Sequence, residues 1–153
     1  MEASGGGLRG GARGDMLGAM RRRGFANPEH LITLTVVAIA LAIAVPAVAR
    51  ARERARNLRA LQELRAALAR YDAATKTRGP GELSELVRGG YLASIPAVSV
   101  MGRHARSARV REVGVTDDSG GWTYSNWPGA ARQGEVWINC THTDSRGKSW
   151  DSY

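Results

Sequence analysis

Residues 31–49 read LITLTVVAIALAIAVPAVA and contain no charged side chain. As an α-helix, which rises 1.5 Å per residue, this run would be about 28 Å long, close to the thickness of a bilayer core. It therefore predicts a helix that crosses a membrane. A secretory signal peptide is the alternative, because Ala47-Val48-Ala49 has the small residues of a signal cleavage site.

The helical pattern continues beyond this apolar run. Within residues 50–71, leucines and a tyrosine recur every three or four positions among Ala, Arg, Glu and Gln, which places them on one helix face. We predict one long helix from Pro28 to about Thr77, apolar first and amphipathic later. Proline removes a backbone donor and crowds the preceding turn, so Pro46 is expected to kink or loosen it. The predicted face consists of Leu58, Leu61, Leu64, Leu68 and Tyr71.

The chain changes character after Arg78-Gly79-Pro80-Gly81, which is expected to end the helix. A short second helix is predicted within Glu82–Arg88. Three stretches rich in β-branched and aromatic residues follow, separated by Gly, Asp, Ser and Pro, and we predict three antiparallel strands. The predicted fold class is α+β, with the long helix packed on this small sheet. The stretches are residues 110–115, 122–127 and 135–140.

Arginine supplies most of the positive charge behind the formal charge of +8 and the pI near 10.7, and arginines cluster on both sides of the apolar run. Arg21-Arg22-Arg23 precede it. Basic residues next to a membrane helix commonly contact lipid head groups, so we favour this interpretation over a nucleic-acid surface. The arginines that follow the run are Arg50, Arg52, Arg54, Arg56 and Arg59.

Several features converge at the N-terminal edge of the predicted helix. Three arginines and Gly24 precede Phe25, the one phenylalanine of the chain, and Glu29 lies four residues further on. With the apolar helix and Pro46, this pattern resembles the N-terminus of type IV prepilins and of type II secretion pseudopilins. The chain departs from the family at Asn27-Pro28, where apolar residues are usual.

The resemblance implies processing rather than catalysis. In that family a prepilin peptidase cuts after the glycine and methylates the new N-terminus, which here corresponds to cleavage between Gly24 and Phe25 with N-methylation of Phe25. Glu29 and Pro46 would act in assembly. A carboxylate at the edge of the hydrocarbon is costly unless it is compensated, and the α-amino group of Phe25, on the same or a neighbouring chain, would compensate Glu29.

The combined predictions divide the chain into five segments. Residues 1–24 form a disordered leader with a basic end, 25–49 the transmembrane half of the helix and 50–78 its amphipathic half. Residues 79–97 form a connecting short helix and loop, and residues 98–153 a small β-meander, called here the head. The resemblance implies that this combination of a long helix and a small sheet is a pilin-like fold. Three methionines are alternative translation starts: Met1, Met16 and Met20.

The resemblance further implies a structural subunit of a pseudopilus in type II protein secretion. Its partners would be copies of itself, other pseudopilins, the prepilin peptidase and an inner-membrane assembly platform. It would be a single-pass protein of a bacterial inner membrane with a periplasmic head. Many pilins close their C-terminal region with a disulfide, so the single Cys140 favours a pseudopilin. The alternatives are a pilin or minor pilin that binds DNA or surfaces, and a signal-anchored periplasmic protein.

Four loop aspartates are candidate oxygen ligands for calcium, which some major pseudopilins bind. Arg146 and Lys148 lie among them, so we favour solvated turns and predict no cofactor. The candidates are Asp117, Asp118, Asp144 and Asp151.

The remaining chemistry-bearing residues predict no enzyme. His30, His104 and His142 are isolated in sequence, and Cys140 with His142 has no recognised zinc or nucleophile spacing. The four tryptophans are expected to form the core of the head rather than a base-stacking surface. These are Trp122, Trp127, Trp137 and Trp150.

Overall fold

A computed structural model describes residues 28–153. The predicted leader, with Gly24 and Phe25, lies outside the described residues. Two helices and five strands occur in the described part, followed by a 3₁₀ turn at Trp150–Ser152. They are α1 (Pro28–Thr75), α2 (Glu85–Arg88), β1 (Val98–Val100), β2 (His104–Ser107), β3 (Val110–Arg111), β4 (Trp122–Tyr124) and β5 (Val136–Ile138).

The predicted long helix is confirmed as α1, which continues through Pro46. Its end is set by Asp72 and Lys76. Lys76 adopts a left-handed conformation (φ 58°), and its amide still donates to the Asp72 carbonyl at 2.9 Å. The Asp72 carboxylate then accepts a hydrogen bond of 2.7 Å from the Gly79 amide, which ties the following turn to the helix. The predicted second helix occurs as the single turn α2.

The chain divides into two compact units, one ending at Ile39 and the other comprising Ala40–Tyr153. In the described part of the first unit, residues 28–39 are helical and their large apolar side chains are exposed. In the second unit, the apolar residues up to Val48 are also exposed. From Glu53 onward, by contrast, one face of α1 is buried.

The second unit has a hydrophobic core in which helix and strands contribute comparable numbers of side chains. The prediction for the amphipathic part of α1 is confirmed, because Leu61, Leu64 and Leu68 are buried while Leu58 and Tyr71 pack against the core as partly buried residues. The strands and the C-terminal turn supply Val98, Val100, Trp122, Tyr124, Val136, Ile138, Cys140 and Trp150.

Two polar residues on α1 also face the strands. The Asn57 side-chain amide donates to the Ser99 carbonyl at 2.6 Å and its oxygen accepts from the Ser99 amide at 3.4 Å. The Ser99 hydroxyl donates to Glu53 at 3.2 Å. Both Glu53 and Asn57 are buried, so these bonds satisfy polar groups that would otherwise be costly.

The strand arrangement corrects the predicted meander. β4 and β5 pair antiparallel, with Trp122 opposite Ile138, but β3 pairs with β4 in parallel, with Val110 opposite Trp122. Residues 112–121 carry the chain back past β3, and Gly114, Gly120 and Gly121 adopt positive φ in this return. A separate antiparallel pair, β1 and β2, was not predicted, since residues 98–107 lack regular apolar alternation.

The predicted tryptophan core is correct for three of its members. Trp122, Trp137 and Trp150 are almost completely buried, whereas Trp127 is 67% exposed, so its assignment to the core was wrong. Trp127 follows β4 in the turn before Pro128-Gly129, beyond the strand that would bury it. Trp137 is covered by Arg132, whose guanidinium lies 3.7 Å from the ring centre.

Candidate functional site

The apolar part of α1 presents the most extensive hydrophobic surface described. An 18-residue window of α1 has a mean hydropathy of 2.7, and none of its residues is buried. By length and composition, α1 is therefore able to cross a membrane. A membrane anchor and a signal sequence share these properties. The Thr33 and Thr35 hydroxyls donate to carbonyls four residues earlier, so the hydroxyls of this apolar segment are paired within the helix. Exposed residues are Leu31, Ile32, Leu34, Val36, Val37, Ile39, Leu41, Ile43, Val45 and Val48.

The two predicted assembly residues lie on this helix. Glu29 is exposed in the first turn of α1, where the helix dipole favours a negative charge. Pro46 is partly exposed within the apolar run. Gly24 and Phe25, the predicted processing residues, lie outside the described part of the chain, so the contact expected between Phe25 and Glu29 stays a prediction.

Asp144 joins the C-terminus of the chain to α1. Its carboxylate accepts hydrogen bonds from Arg54, from the Tyr153 hydroxyl and from the backbone amides of Arg146 and Lys148. The Asp144 side chain has no exposed surface. Burial alone would raise the pKa of Asp144, but the bonds from Tyr153, the Arg146 amide and Arg54 outweigh it and hold the pKa well below its ordinary value.

Acid is expected to destabilise the second unit through Asp144. A carboxyl whose pKa is lower in the folded than in the unfolded chain stabilises above its unfolded value, here 3.8, and loses that contribution as pH falls toward the folded value. We expect the thermal midpoint of the full chain in detergent, followed by tryptophan fluorescence, to decline below about pH 4. Asp144→Asn should flatten this decline, and Glu63→Gln, at an exposed helix position, should leave it unchanged. An equal acid response of all three proteins would contradict the assignment.

The other predicted calcium ligands occupy separate hydrogen-bond networks. Asp117 accepts from Asn139 and Ser119 and pairs with Arg111, and these partners, in that order, lower its pKa to about 2. Asp151 accepts from the Ser149 hydroxyl. Neither shares a hydrogen-bond network with Asp144, so calcium binding by the four together stays a prediction.

Asp118 belongs to a cluster that brings together residues distant in sequence. The cluster consists of His104, Asp118, Cys140 and His142, and is called here the His/Cys/Asp cluster. One ligand atom from each residue lies within 4.8 Å of all the others. The Asp118 carboxylate is 3.3 Å from His104 Nε2 and, by its second oxygen, 3.3 Å from His142 Nδ1. Cys140 Sγ is 3.5 Å from His142 Nδ1.

Three segments of the chain position these side chains. His104 begins β2, Asp118 lies in the turn before β4, and Cys140 and His142 follow β5. Because β4 and β5 are paired, the turn before β4 and the segment after β5 emerge at the same sheet end. The two segments are joined directly: the Thr141 amide donates to Asp118 Oδ1 at 2.9 Å, and the Gly120 amide donates to the Asn139 carbonyl at 3.0 Å.

The turn that carries Asp118 is strained and closely packed. Asp118 has a φ of 61°, which is uncommon for a residue with a side chain. Gly120 (φ 79°) passes so near His104 that a Cβ on it would lie 3.0 Å from the His104 Cβ. Asn139, buried below the turn, donates to both Asp117 and Ser119 and accepts from the Asp117 amide. These contacts hold Asp118 toward the two histidines.

The electrostatics of the cluster follow from partial burial. Cys140 is fully buried, and burial raises the pKa of its thiol to about 11. The Thr141 amide is the main cause of the lowered pKa of Asp118. The side chains of Asp118 and His142 are each about one-third exposed, so the cluster opens to solvent on their side.

His104 and His142 are isolated in sequence, but the fold brings them together. Cys140 and His142 are two positions apart, and this proximity is readable in the sequence. His104 reaches the cluster because β2 pairs with β1, and Asp118 reaches it because the chain returns before β4. Neither feature has a local sequence signal.

No protein-family model, curated protein or solved structure matches this chain.

Proposed function

We propose that this chain is a structural subunit of a filament of the type IV pilin and pseudopilin class, and that it acts in type II protein secretion. One observation carries the proposal: the first part of α1 exposes large apolar side chains, while one face of residues 60–68 of the same helix is buried in an α+β unit. The resemblance of Gly24-Phe25 and Glu29 to a prepilin processing site supports it. No catalytic group is required.

The exposed part of α1 suits two successive environments. Its apolar side chains point to all sides, so it has no single face that one partner would cover. Lipid covers such a helix in a membrane, and helices of neighbouring subunits cover it in a filament. Contacts that repeat from each subunit to the next without closing a ring produce an open-ended assembly. A filament of this kind grows by withdrawing subunits from the inner membrane and moves cargo by extension.

Glu29 would register neighbouring subunits during that transfer. A carboxylate at the edge of the hydrocarbon is unfavourable unless it has a partner. Cleavage before Phe25 creates an α-amino group four residues away, on its own chain and on each neighbour. A pair between Glu29 and the amine of the neighbouring chain would satisfy both charges and define one relative position.

A signal-anchored periplasmic protein is the second candidate, because the same exposed apolar helix near the N-terminus favours it. The two functions differ in where the mature chain begins. The filament subunit begins at Phe25, whereas a cleaved signal sequence would leave a chain that begins after Ala49 and an uncleaved anchor would retain residues 1–24.

The N-terminus of the mature protein is the decisive measurement. We expect the full chain, expressed in bacteria with a prepilin peptidase and extracted from membranes in detergent, to begin at Phe25 and to carry one extra methyl group. Intact mass and N-terminal sequencing measure both. An intact leader, or cleavage after Ala49, would contradict the proposal.

A pair of glycine variants supplies the control. Glycine before the cleaved bond allows an extended backbone to enter a peptidase site without a side-chain clash. Gly24→Val is therefore expected to leave the leader attached, and Gly18→Val, within the leader but away from the bond, to be processed as before. An inactive peptidase should leave all three chains uncut.

A further inference from the structure

We propose that His104, Asp118, Cys140 and His142 bind one zinc ion, which joins three segments of the head: the start of β2, the turn before β4 and the segment after β5. This inference is independent of the filament function. It rests on the mutual positions of four side chains and on the chemistry of their donor atoms.

The distances around His142 match those of a tetrahedral zinc site. With Zn–N and Zn–O near 2.0–2.2 Å and Zn–S near 2.3 Å, neighbouring donor atoms around a tetrahedral ion lie about 3.3–3.6 Å apart. His142 Nδ1 lies 3.3 Å from Asp118 Oδ2 and 3.5 Å from Cys140 Sγ, while His104 Nε2 lies 3.3 Å from the other oxygen of Asp118, Oδ1. All four donor atoms lie within 4.8 Å of one another. Small side-chain movements therefore suffice to complete the coordination.

The donor set selects zinc over calcium. Calcium takes six to eight oxygen ligands, and the cluster offers one carboxylate with a sulfur and two imidazole nitrogens. Zinc binds cysteine, histidine and aspartate in four-coordinate sites. The Asp118 carboxylate and the Cys140 thiolate together also neutralise its two positive charges. On binding, the Cys140 thiol proton passes to solvent and an S–Zn bond forms.

The surroundings of the cluster orient its ligands as a zinc site requires. Ligating groups are commonly held by hydrogen bonds from residues that do not touch the metal. The Thr141 amide holds Asp118 Oδ1, which leaves Oδ2 near His142. Gly120 packs against the His104 side chain, and Asn139 fixes the turn around Asp118 from below. The exposed side of Asp118 and His142 provides a path for the ion.

The alternative to a zinc site is a metal-free hydrogen-bond network in which Asp118 accepts hydrogen bonds from both imidazoles. That network accounts for Asp118 and the histidines. In it Cys140 is a core side chain whose sulfur contacts His142 Nδ1 at 3.5 Å, whereas in the zinc site the same sulfur is a ligand. The zinc site uses all four groups.

Metal content and spectroscopy test the site on the full chain. The protein is purified in detergent with a tag that lacks histidine, stripped with a chelator, and dialysed against zinc chloride. We expect one zinc per chain by elemental analysis and a raised thermal midpoint after loading, because an ion that binds the folded chain stabilises it. Cobalt chloride should give visible bands of tetrahedral Co²⁺ and a near-ultraviolet thiolate-to-cobalt band.

Matched variants identify the ligands. Cys140→Ser and His142→Gln are each expected to lower zinc affinity at least about 100-fold, measured by competition with a chromophoric chelator. His30→Gln, a histidine outside the cluster, should bind zinc as the unaltered chain does. If Cys140→Ser does not fold, the thiolate-to-cobalt band of the unaltered chain still reports the sulfur ligand.

Three results would overturn the inference. One is a stripped chain that takes up no zinc or cobalt. Another is zinc affinity that is unchanged in Cys140→Ser and His142→Gln. The third is a cobalt complex without a thiolate band, which would place the metal on other groups. None of these results bears on whether the mature chain begins at Phe25.

Discussion

Trp122→Ala is expected to lower the free energy of unfolding by about 3–5 kcal/mol, the range found when a large buried aromatic residue is truncated. Trp122 lies in β4, the central strand of its sheet, between Val110 of β3 and Ile138 of β5, and it is fully buried. Its indole nitrogen donates to the Pro96 carbonyl at 2.7 Å. Alanine would leave a cavity and remove the donor to that carbonyl.

Trp127→Ala is the control for this substitution. It removes the same side chain from the same segment of the chain, but Trp127 is 67% exposed. We expect a change within about 0.5 kcal/mol, as for most surface substitutions. Chemical unfolding of both variants is followed by circular dichroism. Tryptophan fluorescence is unsuitable because each variant lacks a different tryptophan. Similar losses in both variants would contradict the placement of Trp122 at the centre of the core.

Gly121→Ala has the second large expected effect. Gly121 precedes β4 with a φ of 76°, and a Cβ built on it would lie 2.4 Å from the Arg109 carbonyl oxygen. That oxygen accepts the hydrogen bond of 2.8 Å from the Trp122 amide, so it cannot withdraw without weakening the link to β4. A left-handed conformation costs about 1–2 kcal/mol and an overpacked contact about 1–3 kcal/mol more. We expect a loss of about 2–5 kcal/mol by chemical unfolding.

Gly90→Ala separates the two costs. Gly90 has a similar φ of 73°, and a Cβ on it would meet no atom within 4 Å. Its expected loss is therefore the conformational cost alone, about 1–2 kcal/mol. Equal losses at Gly90 and Gly121 would show that the Arg109 carbonyl moves aside freely, contrary to our expectation.

Helix α1 was predictable because its signals are local. The uncharged run at residues 31–49 and the three- and four-residue spacing of Leu61, Leu64 and Leu68 lie within the helix they specify. The parallel pairing of β3 with β4 depends instead on how residues 112–121 return. β3 is only two residues long, which leaves too little alternation to indicate its direction.

The candidate sites differ in the same way. Glu29 and Pro46 were placed by sequence spacing, and both lie on α1 as expected. The His/Cys/Asp cluster was missed because His104 and Cys140 are 36 positions apart and meet through strand pairing. The exposure of Trp127 was missed because the prediction rested on composition. Four tryptophans in a small domain suggest an aromatic core, but composition does not show which of them a strand buries.

The hydrogen bonds between Asn57 and Ser99 have a consequence for how copies of this chain can associate. A strand with unpaired backbone N–H and C=O groups can pair with a strand of another chain, which leads to aggregation. At Ser99 the Asn57 amide takes both the donor and the acceptor that such a strand would use. Helix α1 therefore covers this edge of the sheet, and copies of the chain at high concentration are hindered from adding strands to one another at that position.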